Sequence, residues 1–243
     1  MVQYGPESRV LSSMQIRSTN LSAKLPGCLI LLGLLCCFTN SATATTLVAT
    51  GFDTARTTDV WIWANGTEEI IGTGPMNIIV DGIWNRVAFC ADLFTDIYFG
   101  NNNTSNLVGV NTITNGGRAA WLIDNYLPTG LESNAKTLGA AMQFAIWDIL
   151  HDGGDGFGAG LVRSAISNIT DAAVLAAAQN FETLSLGQTT SRGVIYTNVD
   201  IGLGLPAQML IGPLVPEPSS YLLVACGIIA GFAKRRLQPS RKA

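Results

Sequence analysis

A thiol and a carboxamide are the two groups in this chain whose pairing would do chemistry. Cys90 stands in Phe89-Cys90-Ala91-Asp92 and is the one cysteine between the two ends of the chain; Cys28, Cys36, Cys37 and Cys226 all lie in terminal apolar stretches. Gln143 stands inside Ala140-Ala141-Met142-Gln143-Phe144-Ala145-Ile146-Trp147-Asp148-Ile149-Leu150, a run without Gly or Pro. That run reads as a buried helix. Burying the Gln143 amide without partners would cost roughly 2–7 kcal/mol. A cysteine thiol that displaces ammonia from a glutamine carboxamide leaves an internal thioester, an activated acyl group. An arriving amine or hydroxyl can capture it covalently, much as an acyl-enzyme is captured, but once only. Such a bond needs shelter from water, and Phe89, Phe144 and Trp147 are the expected cover. The plainer reading of the same residues is a glutamine bonded to backbone and a cysteine acting as a small buried hydrophobe.

Strands must bring the thiol to that helix. Residues 57–64 are rich in β-branched and aromatic types and stop at Asn65-Gly66, a hairpin signal, with a short return strand at 69–72. Residues 76–81 and 83–92 form a second pair joined at Asp81-Gly82. Alternation along 83–92 puts Trp84, Arg86, Ala88, Cys90 and Asp92 on one face, with Cys90 near the strand end. Residues 101–105 read as a polar loop and 107–113 as a strand. Helices are expected at 118–126, from about 135 to 150 with Ser133 or Asn134 as cap, and from 171 to about 184. Residues 192–201 and 207–211 read as closing strands. The expected fold class is α+β: an antiparallel β-sandwich or barrel-like framework with an inserted helical section.

The chain has 243 residues, 48% of them hydrophobic and 13% charged, enough for a real core. Its charges are segregated. Between residues 45 and 215 stand six basic and fifteen acidic residues, a net charge of −9, against −3 for the whole chain. Nucleic acid is an unsuitable partner for such a body. Lys136 is the only lysine in that span, so few internal amines could consume an acyl group.

The ends carry the remaining basic residues. Lys24, the apolar residues 25–38 and Ser41-Ala42-Thr43-Ala44 read as a signal peptide cleaved after Ala44, with Met14 as an alternative start. At the other end, Pro216-Glu217-Pro218 precedes an apolar run at 221–233 and then Lys234-Arg235-Arg236. About thirteen apolar residues fall short of the roughly 20 of a spanning helix, so the run reads as a transient, positive-inside stop. These three features in order resemble the PEP-CTERM sorting signal of Gram-negative bacteria. The resemblance implies an exosortase-type membrane transpeptidase as partner. It also implies export across the inner membrane to the cell surface or extracellular matrix. The domain boundaries that follow are 1–44, 45–214 and 215–243.

The body carries a second resemblance. Phe89-Cys90-Ala91-Asp92-Leu93, followed by Gln143-Phe144-Ala145-Ile146-Trp147, is similar to the thioester domains of bacterial surface adhesins, departing from them at Met142 and Ala91. It implies Cys90 and Gln143 as the cross-linked pair, Trp147 as packing, and adhesion to a matrix polysaccharide or surface protein as the work. An alternative is a non-covalent biofilm-matrix module that stacks sugars on Trp61 and Trp63. No cofactor or metal is expected. His151 lacks ligand companions at metal spacing, and the segment 152–158 lacks the twelfth-position Glu of an EF-hand, Arg163 standing there. It reads as a helix-ending turn. No base–nucleophile pair suggests a turnover enzyme; His151 is at most a proton donor near Gln143.

Overall fold

The computed structural model describes residues 44–64, 66–166, 170–200 and 208–213. Along the chain run β1 (Ala44–Phe52), β2 (Thr58–Ala64), β3 (Thr67–Thr73), β4 (Met76–Val80), β5 (Trp84–Cys90) and β6 (Asn102–Gly109). A helical section follows: α1 (Gly116–Tyr126), α2 (Ala135–His151), the short strand β7 (Val162–Ser164) and α3 (Ala172–Ser185). The strands β8 (Val194–Asp200) and β9 (Leu210–Gly212) close the fold.

Six strands form a closed antiparallel barrel in the order β1-β4-β5-β9-β8-β6, and β3-β2-β7 make a separate small sheet. The class is α+β, as expected. The helical section is inserted between β6 and β8, which are paired neighbours in the barrel. Alternation sets the barrel interior. The rungs Leu47–Val80, Ala49–Ile78, Met76–Ala88, Cys90–Leu210 and Tyr196–Leu210 all point inward, so Cys90 lies on an inner face. Leu47, Ala49, Met76, Ala88, Tyr196 and Leu210 are fully buried. The turn between β4 and β5 uses Asp81 (φ 52°) and Gly82 (φ 67°), with Ile83 N–H donating to the Val80 carbonyl at 3.1 Å. Two successive positive φ angles make the primed turn that the Asp-Gly pair favours.

α2 is buried along 139–149 and packs against α1, α3, β2, β3, β5 and β7. Gly139 permits this approach, because a Cβ there would lie 2.0 Å from the Arg56 carbonyl oxygen. Asn134 is its cap residue but makes no side-chain cap bond, whereas Asp171 caps α3 by accepting from Ala173 and Val174 N–H at 2.7 and 3.2 Å.

Three expectations are corrected. Residues 102–105 are strand, not loop, because Asn103 and Ser105 face the barrel interior and both edges of β6 are paired. Partner strands override the polar composition there. The strand expected at 107–113 ends at Gly109, and Val110–Thr112 form a 3-10 turn. The last strand is shorter than 207–211 and begins at Leu210, leaving Gln208 and Met209 just ahead of it. Ala44, the expected cleavage residue, is the first residue of β1 and pairs with Asn106. The rest of the signal segment, and the sorting residues Pro216, Glu217, Pro218, Lys234, Arg235 and Arg236, lie outside the described residues. Among the described residues no helix is long and apolar enough to cross a membrane.

Candidate functional site

Where β5 ends, its pairing on one side continues and on the other side stops. Cys90 pairs with Leu210 of β9, and Ala91 N–H donates to the Met209 carbonyl at 2.9 Å. On the β4 side the ladder has run out: Ala88 faces Met76, the first residue of β4. Cys90 N–H and C=O would be left bare there, at a cost of about 1–3 kcal/mol each. Gln143 fills the gap. Its Oε1 accepts from Cys90 N–H at 2.9 Å and its Nε2 donates to the Cys90 carbonyl at 2.8 Å. A helix side chain thus supplies the missing rung of a sheet.

That geometry brings both expected residues together, but through backbone and not through sulfur. The thiol meets a different carboxamide. Cys90 Sγ donates to Gln208 Oε1 at 2.9 Å, and Gln208 Nε2 donates to the Asp92 carbonyl at 2.5 Å. The carbonyl carbon of Gln208 is one bond beyond the oxygen that the sulfur touches. The expected Cys90–Gln143 side-chain pairing is therefore corrected: both polar atoms of Gln143 are committed to the Cys90 backbone. Gln208 escaped the sequence reading, although a lone carboxamide in the otherwise apolar Ala207-Gln208-Met209-Leu210-Ile211 was the signal that could have found it.

The site is sheltered. Gln143 is fully buried, and Cys90 and Gln208 keep only 5% and 6% exposure. Burial, and then the nearby Asp92 charge, raise the Cys90 pKa far above the usual thiol range, with the bond to Gln208 opposing them. The sulfur is thus a neutral thiol at pH 7. The Asp92 carboxylate is occupied locally, accepting from Phe94 N–H at 2.9 Å and from Thr95 Oγ1.

The expected cover residues are all buried but do different things. Phe89 lies on the opposite face of β5 from Cys90, as strand alternation requires. Phe144 stacks on Phe157 with ring centroids 4.2 Å apart, which fastens α2 to the loop beyond it. Trp147 is among the largest fully buried side chains. His151 closes α2 beside the strand end, interacting with the Ala91 backbone and lying 5.0 Å from the Phe94 ring. Burial lowers its pKa against the opposing charges of Asp92 and Asp152, so the imidazole is neutral at pH 7. Its contact on β5's end is thus with the residue that follows Cys90. Trp61 and Trp63 are partly exposed on the outward face of the small sheet, with the Arg163 guanidinium 4.2 Å over the Trp63 ring.

No family model matches the chain, and no curated protein matches it. Among solved structures, the N-terminal domain of the Streptococcus pyogenes pilus tip adhesin Cpa is similar at 11% identity and a TM-score of 0.38, over 72% of this chain and 100% of that one. So distant a likeness carries no conclusion about function.

Proposed function

We propose that this chain is an exported surface or extracellular-matrix protein whose body forms an internal thioester between Cys90 and Gln208. It uses that bond to attach covalently to an amine or hydroxyl of a matrix polymer or surface protein. The observation that carries the reading is the 2.9 Å contact between Cys90 Sγ and Gln208 Oε1 inside a site almost closed to solvent. Proximity and fixed orientation lower the barrier for such an intramolecular acyl transfer.

The chemistry balances without a co-reactant. The Cys90 sulfur adds to the Gln208 carbonyl carbon and the C–N bond breaks. The thiol proton leaves with the amide nitrogen as ammonia. Gln143 holds the Cys90 backbone so that the sulfur keeps its aim, and the Asp92 carbonyl holds the departing nitrogen. In the second step an amine or hydroxyl attacks the same carbon. The C–S bond breaks, the sulfur takes up the nucleophile's proton, and residue 208 ends as an amide or ester. His151 is the adjacent neutral base that could pass that proton.

Export and sorting rest on the terminal sequences, with an exosortase-type transpeptidase as the partner of the Pro216-Glu217-Pro218 tail. The acyl chemistry has a direct test. Intact mass of the purified body should be lower than the sequence mass by one ammonia, and Cys90→Ala should restore it. Methylamine should then label Gln208 and not Gln143 in peptide mapping. A wild-type mass equal to the sequence mass would falsify the thioester, and a label on Gln143 would return the bond to the helix.

A second reading is favoured by the outward placement of Trp61 and Trp63, with the 55%-exposed Ile70 paired opposite Trp61. In that reading the small sheet stacks sugars non-covalently. Tryptophan quenching by polysaccharide in a protein of unchanged, methylamine-insensitive mass would support it.

A further inference from the structure

The outward face of the small sheet carries a strip of rings that ends in a polar cavity. Cross-strand pairing puts Asp59 opposite Gly72, Trp61 opposite Ile70 and Trp63 opposite Glu68, with Arg163 of β7 on the other side of Trp63. The alternate residues Val60, Ile62 and Ala64 face the core and are buried. Gly72 leaves room on the outward face, and the Phe52 ring takes it: a Cβ on Gly72 would lie 3.0 Å from that ring. Phe99 meets Phe52 edge-on, with ring centroids 5.2 Å apart. Phe52 and Gly72 wall a cavity of about 280 Å3 together with Thr54, Thr57, Thr58, Asp59 and Lys136.

Three properties of this strip select its occupant. Trp61 and Trp63 stand two residues apart, about 6.4–6.8 Å along the strand, so their rings form a row on one face. The charges cancel, Asp59 and Glu68 against Lys136 and Arg163, although the body as a whole is strongly acidic. A polymer charged with either sign therefore finds no complementary field here. Hydrogen-bonding groups stand at both ends of the row. At one end are the threonines, Asp59 and Lys136 of the cavity. At the other is Arg163, whose guanidinium lies 4.2 Å over the Trp63 ring and whose buried Nε has no hydrogen-bond partner. An apolar partner would cover these groups without pairing them, which is costly. A sugar ring suits both kinds of surface. Its C–H face lies on an aromatic ring, and its rim of hydroxyls both donates and accepts.

We propose that the strip and the cavity together bind a neutral polysaccharide, with a sugar ring in the cavity against Phe52 and the chain running along Trp61 and Trp63 to Arg163. The proposal rests on the sugar-stacking reading of the small sheet and extends it. The cavity is a subsite in which Asp59 and Lys136 hold ring hydroxyls, and it sets where the chain lies on the strip. Its volume falls just below the roughly 300–1,000 Å3 of sites for drug-sized ligands, a scale that suits a single ring. Cys90 and Gln208 belong to the barrel and its rim, whereas β2, β3 and β7 form a sheet of their own. The cleft therefore works whether or not the thioester forms.

Titration calorimetry on the full chain tests this, with cellohexaose, maltohexaose and mannohexaose as neutral probes and polygalacturonate as the anionic one. At least one neutral hexasaccharide should bind with a saturable heat, and polygalacturonate should not displace it. Trp61→Ala, at a partly exposed position, should weaken that binding by at least about tenfold. Asp59→Ala, at an exposed position, should keep the melting midpoint and weaken binding by about tenfold. Binding that survives Asp59→Ala but not Trp61→Ala would overturn the cavity subsite and leave the stacking reading standing. Binding that survives Trp61→Ala, or no heat from any neutral probe, would overturn both. Tighter binding of polygalacturonate than of the neutral probes would overturn the assignment to a neutral chain.

Discussion

Gln143 shows how one side chain can decide the shape of a reactive site without taking part in the bond. Its amide has a donor and an acceptor at the spacing of a peptide group, so it completes a ladder that β4 abandons. Removing it leaves Cys90 N–H and C=O buried and unpaired. Gln143→Ala should therefore cost about 2–5 kcal/mol in urea unfolding, from the desolvation of two backbone groups. A loss below about 1 kcal/mol would mean that water takes over the rung. The variant should also form the proposed thioester more slowly, because the sulfur loses its fixed aim while Gln208 is untouched.

At the scale of elements, α2 is the organiser. Its middle is fastened to β5 by Gln143, and its end is fastened to α3 through the Asp148 and Glu182 carboxyl groups. Phe144 adds the loop beyond α2 by stacking on Phe157. The helix–helix contact should be pH-sensitive. Burial and Asp148 raise the Glu182 carboxyl from an ordinary 4.5 to about 9, so the folded state holds a proton that the unfolded state releases. Its contribution to stability is fully present below about 4.5 and is lost as pH climbs through about 9. Melting midpoints should fall across that window, and Glu182→Gln should flatten the fall. A wild-type midpoint that rises over the same range would contradict this sign.

For the molecule as a whole, the reactive pair lies where the chain closes on itself. Cys90 ends β5, Gln208 stands just before β9, and β5–β9 pairing helps to complete the barrel. The two residues are 118 positions apart. A covalent link across such a loop restrains the unfolded chain; for a disulfide closing about 100 residues the effect is about 4–5 kcal/mol. Methylamine opening of the proposed thioester should lower the calorimetric midpoint although no residue is replaced. The midpoint of Cys90→Ala should not respond to methylamine. If wild type and variant respond alike, the amine acts elsewhere.

The sequence alone determined what depends on neighbours along the chain. The buried helix was legible because residues 140–150 hold no Gly or Pro, and the Asp81-Gly82 turn because its φ angles belong to those residue types. Cys90 was legible as a strand-end thiol, and Gln143 as an amide needing partners. Tertiary structure alone decided which carboxamide the sulfur meets. Four glutamines stand in the body, Gln143, Gln179, Gln188 and Gln208, and the choice depends on the register of β9 against β5, which no local pattern encodes. The same reason hid the strand at 102–105, whose polar residues are buried only because β1 and β8 pair on either side. It also hid the meeting of Asp148 with Glu182, brought together from separate helices by packing. Local propensity acts over a few residues, whereas strand register and helix docking are settled by surfaces that meet only once the chain has folded.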